Sequence, residues 1–310
     1  MHSNHPGLAP PELLLGTAMW GWTVPEQVCF SLLDSFYGAG FRGIDGATNY
    51  PINKIPADFR KSERILLQWI HAHGVNDLRI TMKVGSLDNM RSPECNLSKS
   101  FLLFCLEEYG SLFAANLETL MVHWDNREIP EEIDQTLEGL AAVVAYGCHV
   151  GLSGIRNPEI YATRNELFGL DFKIQIKHNL LQSDYARYAP FHGKRRFFAY
   201  GMNAGGLKLD TTAYHDGSSL KARGGDTTNT APLIAAIAAF LRDAPPLKHL
   251  SHTGLLYAYY HPDMAGMLLG VSSVEQLADS LDFYGVLRQT DCREQYLRLL
   301  TMQQDHAQPL

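Results

Sequence analysis

The stretch Leu13-Leu14-Leu15-Gly16-Thr17-Ala18-Met19-Trp20 decides the architecture. An apolar run of strand length turns into Met19, Trp20 and then Gly21-Trp22, where a doubly wound nucleotide-binding sheet needs a glycine-rich phosphate turn after its first strand. Bulky aromatics at that turn favour a barrel. Working outward, the same event repeats along the chain: a short apolar run, a turn, then a segment with helical period. The runs are Leu13–Gly16, Phe41–Asp45, Leu78–Val84, Thr119–His123, Val150–Ser153, Phe172–Ile176, Phe197–Tyr200 and Met267–Val271. Between them, Val28, Leu32, Leu33 and Phe36 follow Pro25-Glu26 at helix spacing, Ile133, Leu137, Leu140 and Val144 follow Pro130-Glu131, and Val274, Leu277 and Leu281 follow Ser272-Ser273. Eight strand-plus-helix units predict one α/β domain over residues 1–310, a (β/α)8 TIM barrel whose active site lies at the C-terminal face of the strands. Gly205 to Thr230, polar and rich in glycine, reads as a long loop after strand seven and as a lid over a bound ligand.

Composition narrows the function. With 45% hydrophobic and 19% charged residues the chain is globular and not disordered. Twenty-six Lys and Arg against 33 Asp and Glu leave a net charge of −7 with no block of like charges, which excludes nucleic acid as a partner. The longest apolar run, Leu233 to Leu241, is too short to cross a bilayer, and Met1 to Pro11 lacks signal-peptide architecture. Five widely spaced cysteines form no C-x-x-C pair and read as reduced thiols, so a cytoplasmic location is expected.

Two motifs are set aside on their context. Gly38-Ala39-Gly40-Phe41-Arg42-Gly43 has the G-x-G-x-x-G spacing, but a helix precedes it and a strand follows, the reverse of a dinucleotide fingerprint. It reads as a helix cap and turn. His71 and His73 do not share a helix face and have no third ligand spaced nearby, so no metal site is expected.

The expected strand ends are chemically richer. Asp45 closes the second run, Lys83 lies near the end of the third, His123 closes the fourth, and Tyr50 follows Asp45 by five positions. Neighbouring strands are about 4.8 Å apart, so these side chains converge within about 10 Å. Each alone suits a structural role, but buried Lys and Asp cost several kcal/mol in desolvation, and four unlike ionisable groups at one mouth point to catalysis.

These residues reach a family. Gly43-Ile44-Asp45-Gly46-Ala47-Thr48-Asn49-Tyr50 resembles the D-x-x-x-x-Y motif of the aldo-keto reductases, Thr81-Met82-Lys83-Val84-Gly85 their lysine strand, and Met121-Val122-His123-Trp124-Asp125 their L-H-W segment. The resemblance implies hydride transfer between NADP or NAD and a carbonyl or alcohol, with Tyr50 as proton donor, Lys83 lowering its pKa, Asp45 partnering Lys83 and His123 orienting the carbonyl. It also implies Ser153 and Gln175 on the nicotinamide carboxamide, Tyr200 against its ring, Gly201 and Gly206 in the loop after strand seven, and Gly270, Val271, Ser272, Ser273, Gln276, Asp279 and Ser280 around the adenosine phosphates. Two departures stand out: Gly154 replaces the Asn that usually follows the strand-five serine, and the arginine usual at the strand-eight turn is missing. Trp20, Trp22 and Trp124 are expected to line an apolar substrate pocket. Gly154 keeps open a second reading, a cofactor-binding regulatory protein with little turnover. A barrel hydrolase would want paired mouth carboxylates, and Asp45 with distant Asp125 is a weak pair.

Overall fold

Eight parallel strands pair in chain order, and the first closes against the eighth. They are β1 (Glu12–Gly16), β2 (Gly43–Ala47), β3 (Arg79–Val84), β4 (Leu117–His123), β5 (His149–Ser153), β6 (Phe172–Lys177), β7 (Phe197–Tyr200) and β8 (Met264–Leu269). The computed structural model describes residues 9–194, 196–210, 212, 214, 218–224 and 231–306. Helices alternate with the strands: α1 (Glu26–Gly38), α2 (Lys61–His73), α3 (Lys99–Phe113), α4 (Pro130–Tyr146), α5 (Pro158–Asn165), α6 (Ser219–Ala222), α7 (Ala231–Arg242), α8 (Leu250–Tyr259), α9 (Val274–Gln289) and α10 (Arg293–His306). This is the expected (β/α)8 barrel.

The strands are short and almost wholly buried because helices cover their outer faces, which is why they read as apolar runs instead of alternating patterns. Leu15, Ile44, Ile80, Val122, Leu152 and Ile174 are all at most 1% exposed and join one core with Leu32, Leu106, Leu137 and Leu287 of the surrounding helices. Pro130 opens α4 at its first position, where its missing N–H is not needed.

Two strands depart from the expected limits at both ends. The second starts at Gly43 and runs through Gly46 and Ala47, which places Asp45 in mid-strand and not at the end. Gly46 leaves room there for the Met82 side chain, since a Cβ would lie 2.8 Å from Met82 Sδ. The eighth begins at Met264, three residues before the expected start, because Gly266 interrupts the apolar run. A Cβ on Gly266 would meet the Phe198 ring at 2.3 Å, so β7 and β8 approach only through glycine. Gly38 to Gly43 is an α1–β2 turn with Gly40 at φ +88°, as its context indicated. Of the stretch Gly205 to Thr230, residues 211, 213, 215–217 and 225–230 lie outside the described residues, and with them that much of the expected lid; the described remainder includes α6.

Candidate active site

Parallel pairing sets which side chains share the barrel interior. Asp45 pairs with Thr81 and Ala47 with Lys83, so Lys83 stands one layer above Asp45 on the neighbouring strand and facing the same way. His123 pairs with Ser153, and Ser153 with Gln175, continuing the polar layer round the ring. Lys83, Asp45, His123, Ser153 and Gln175 are each at most 3% exposed.

The layer is bonded together. The Lys83 ammonium donates to one Asp45 oxygen, and the Gln175 amide crosses the barrel from β6 to donate to the other. Ser153 Oγ donates to Gln175 Oε1 at 3.4 Å. Gln175 therefore holds the carboxylate partner of Lys83, a contact that sequence spacing does not reveal across 130 positions.

Tyr50 hangs over this layer from the loop after β2. Its N–H donates to Ala47 O at 3.1 Å, its carbonyl accepts from Ser62 N at 3.3 Å, and Thr48 between them donates to Lys83 O at 2.9 Å. The loop is thus tied to both flanking elements. Lys83 Nζ lies 5.0 Å from the centre of the Tyr50 ring. The His123 and Tyr50 rings meet edge to face at 5.9 Å.

The electrostatics assign protonation states. Burial pushes the Tyr50 phenol above its ordinary value, and the opposing Lys83 charge does not overcome it, so Lys83 moderates the pKa without bringing about the net depression anticipated from sequence. Burial pulls Lys83 down, but its anionic partner Asp45 works against that and the ammonium persists. Burial and the Lys83 charge together hold His123 well below the usual imidazole range. Its Nδ1 is buried without a partner among the described residues. The site thus presents a protonated phenol, a fixed ammonium and a neutral imidazole at one mouth.

A sequence profile of the Aldo/keto reductase family matches residues 12–293. The chain belongs to the aldo/keto reductase family. Members of this family carry out NAD(P)H-dependent carbonyl reduction. Among curated proteins, the chain is 29% identical over 210 residues to norsolorinic acid reductase of Emericella nidulans, covering 63% of this chain and 46% of that one. It therefore spans under half the length of the fungal reductase. It is also 42% identical over 82 residues to an 11.2 kDa protein of Pseudescherichia vulneris named for its place in the crtE 3' region, covering 26% of this chain and 80% of that one.

Within this aldo/keto reductase, the remaining expected residues divide. Tyr200 closes β7, partly open, where burial raises its pKa. Gly201 and Gly206 follow at φ +64° and +96°, conformations that suit glycine. Nothing lies within 4 Å of a Cβ placed on Gly270, and Val271 is buried beside it. Ser273 caps α9, accepting from Gln276 N at 3.3 Å, while Gln276 Oε1 reaches back to Ser272 N at 3.0 Å. Two expected phosphate contacts are thus a reciprocal helix cap. Ser280 is 4% exposed and donates to Gln276 O within its own helix, and Asp279 pairs with His252 Nε2 at 3.0 Å and His249 Nε2 at 3.6 Å. These two are engaged on α8 and α9.

The three tryptophans separate as well. Trp20 is 1% exposed in the hydrophobic core, bridged to Val24, and is not among the residues lining the cleft beside Trp124. Trp22 is half-buried against the core. Trp124 does line a cleft, at φ +60°, its ring 4.5 Å from that of His123. It also explains Gly154. A Cβ there would lie 2.5 Å from Trp124 Cδ1, and Gly154 adopts φ +67°, so the usual Asn is displaced by the indole.

Proposed function

We propose that this chain is an NAD(P)H-dependent reductase of aldehydes or ketones in which Tyr50 donates the proton to the carbonyl oxygen. The observation that carries the reading is the protonated Tyr50 phenol against the buried Lys83–Asp45 pair. A donor must hold its proton until charge develops on the oxygen, and a buried phenol does so at neutral pH. As the proton leaves, the nascent phenolate is met by the adjacent Lys83 ammonium, whose charge Asp45 and Gln175 fix in place. Neutral His123 donates a hydrogen bond to the carbonyl oxygen, polarising and orienting it without competing as an acid. Asp45, Lys83 and Gln175 are positioning residues.

The cofactor fits the mouth in two respects. The β8–α9 turn is open at Gly270 and leads into a helix N-terminus, where N–H groups suit an anionic phosphate, and partly open Tyr200 offers a ring face to a nicotinamide. Ser153 and Gln175 would hold the carboxamide, and Ser272 and the first turn of α9 the phosphates. Bound there, the nicotinamide supplies the hydride. The reading is tested by following cofactor oxidation with a panel of aldehydes and ketones. Turnover is expected, whereas cofactor binding without turnover on any of them would favour the regulatory reading.

A further inference from the structure

We propose that the carbonyl substrate carries an anionic oxygen group, a carboxylate or a phosphate ester, held by Arg223 and Arg91 at the rim of the Tyr50 cleft. This rests on the reductase reading above. A cleft of about 460 Å³ opens beside the catalytic layer, with Ile52, Pro93 and Trp124 as its apolar wall and Arg91 and Arg223 as its charged lining residues. It adjoins the reacting groups through the chain itself, since Ile52 lies two residues beyond Tyr50, Trp124 follows His123 and Gly154 follows Ser153.

Neither arginine has a carboxylate partner among the described residues. Arg223 directs its guanidinium onto Met19, with Nη2 3.2 Å from the sulfur, a contact that leaves its charge uncompensated. Arg223 is exposed as a residue, and the protein around its guanidinium lowers its pKa. Arg91 donates from Nε to Ile52 O and from Nη1 to Arg223 O, both at 3.2 Å, so two neutral carbonyls fix its head beside Arg223. Of the two acids three residues from it in sequence, Asp88 is engaged with Ser92 Oγ at 2.6 Å and Met90 N at 2.8 Å, and Glu94 forms no ion pair with Arg91. Two like charges held together over an apolar wall repel each other unless an anion joins them, and arginine suits the planar oxygens of carboxylate or phosphate. The wall of Ile52, Arg91, Trp124 and Gly154 follows β2 to β5, and β4 lies across the eight-stranded ring from β8, where the adenosine phosphates would sit, so Arg91 holds the pair on the substrate side although Arg223 itself comes from the segment after β7.

The test compares kcat/KM for matched pairs: 4-carboxybenzaldehyde against benzaldehyde for a carboxylate, and glyceraldehyde 3-phosphate against glyceraldehyde for a phosphate. In at least one pair the charged member is expected to be preferred at least about tenfold, the value of one charge-assisted contact. Arg223→Gln, and independently Arg91→Gln, should lower that charged-to-neutral ratio at least about fivefold, chiefly through KM, with Arg223→Lys in between. Which pair responds identifies the anion. Ratios near one in both pairs, or a preference that neither glutamine variant reduces, would overturn the inference while leaving the reductase intact. Failure to reduce any of the four compounds, in a protein that binds cofactor, overturns both.

Discussion

A proton donor is useful only while it still carries its proton, and Tyr50, the proposed donor, keeps its proton because desolvation outweighs the neighbouring ammonium. The sign sets the pH profile. A phenol raised above its ordinary value of 10.0 is protonated throughout the neutral range and loses its donor form only as pH rises through the raised value. His123, held well below 6.5, is already neutral and adds no acid limb there. We therefore expect kcat for reduction to be flat from about pH 6 to 9, and a decline centred near pH 7 or 8 would show that another group titrates in the reaction. Tyr50→Phe removes the donor without changing the packing volume much. It should fold normally and lower kcat by at least about 10²-fold. Lys83→Met should act similarly, and because the two groups work as a unit the double variant should lose less than the combined single effects. Near-normal turnover of a folded Tyr50→Phe protein sinks the assignment.

At the scale of elements, the loop after β4 is held by a buried carboxylate that takes no part in the chemistry. Asp125, with a fully buried side chain, accepts from Arg127 Nη2 at 2.8 Å, Nε at 2.9 Å and N at 2.9 Å, and from the Tyr161 hydroxyl at 2.6 Å. Asp125→Ala strands the half-buried Arg127 charge and a buried phenol, at a cost of about 3 kcal/mol readable as a lower urea midpoint. A loss below about 1 kcal/mol would mean that water replaces the carboxylate. The next loop carries the Gly154–Trp124 contact. Gly154→Ala should destabilise by about 2–3 kcal/mol, combining left-handed strain with overlap on the indole, and in a Trp124→Ala background only the strain of about 1 kcal/mol should remain. Equal penalties in both backgrounds would refute the packing explanation. That Gly154 differs from the family pattern was legible in the sequence. Its reason was not, since it lies in the backbone angle of a tryptophan thirty positions away.

Over the whole molecule, the legible part was what periodicity and local order carry: every strand was found because helices on the outside make each an apolar run, and the four residues proposed as catalytic stood out because they sit in fixed order near strand ends. Small residues blurred the ends of β2 and β8, where Gly46 and Gly266 leave room for Met82 and Phe198 on neighbouring strands. Contacts across the ring, Gln175 to Asp45 and Arg91 to Arg223, were invisible for the same reason. Cofactor choice also belongs to this scale, because it depends on which loops bring cations to the β8–α9 turn. The 2′-phosphate of NADPH needs such a cation to offset its desolvation. Ser272, Ser273 and Gln276 offer neutral groups that already cap α9, and Asp279 nearby is an anion partnered by His249 and His252. Arg223, on the segment after β7, lies against Met19 at the cleft beside Trp124. A charge-assisted contact contributes about 1.5–3 kcal/mol against 0.5–1.5 for a neutral hydrogen bond, so missing one arginine removes about tenfold of NADPH preference. We expect Kd values for NADPH and NADH, measured by fluorescence quenching at one ionic strength, to differ by less than about a hundredfold. A larger preference for NADPH would mean that another cation reaches the phosphate, and Lys221→Gln on α6 would then be the first variant to abolish it.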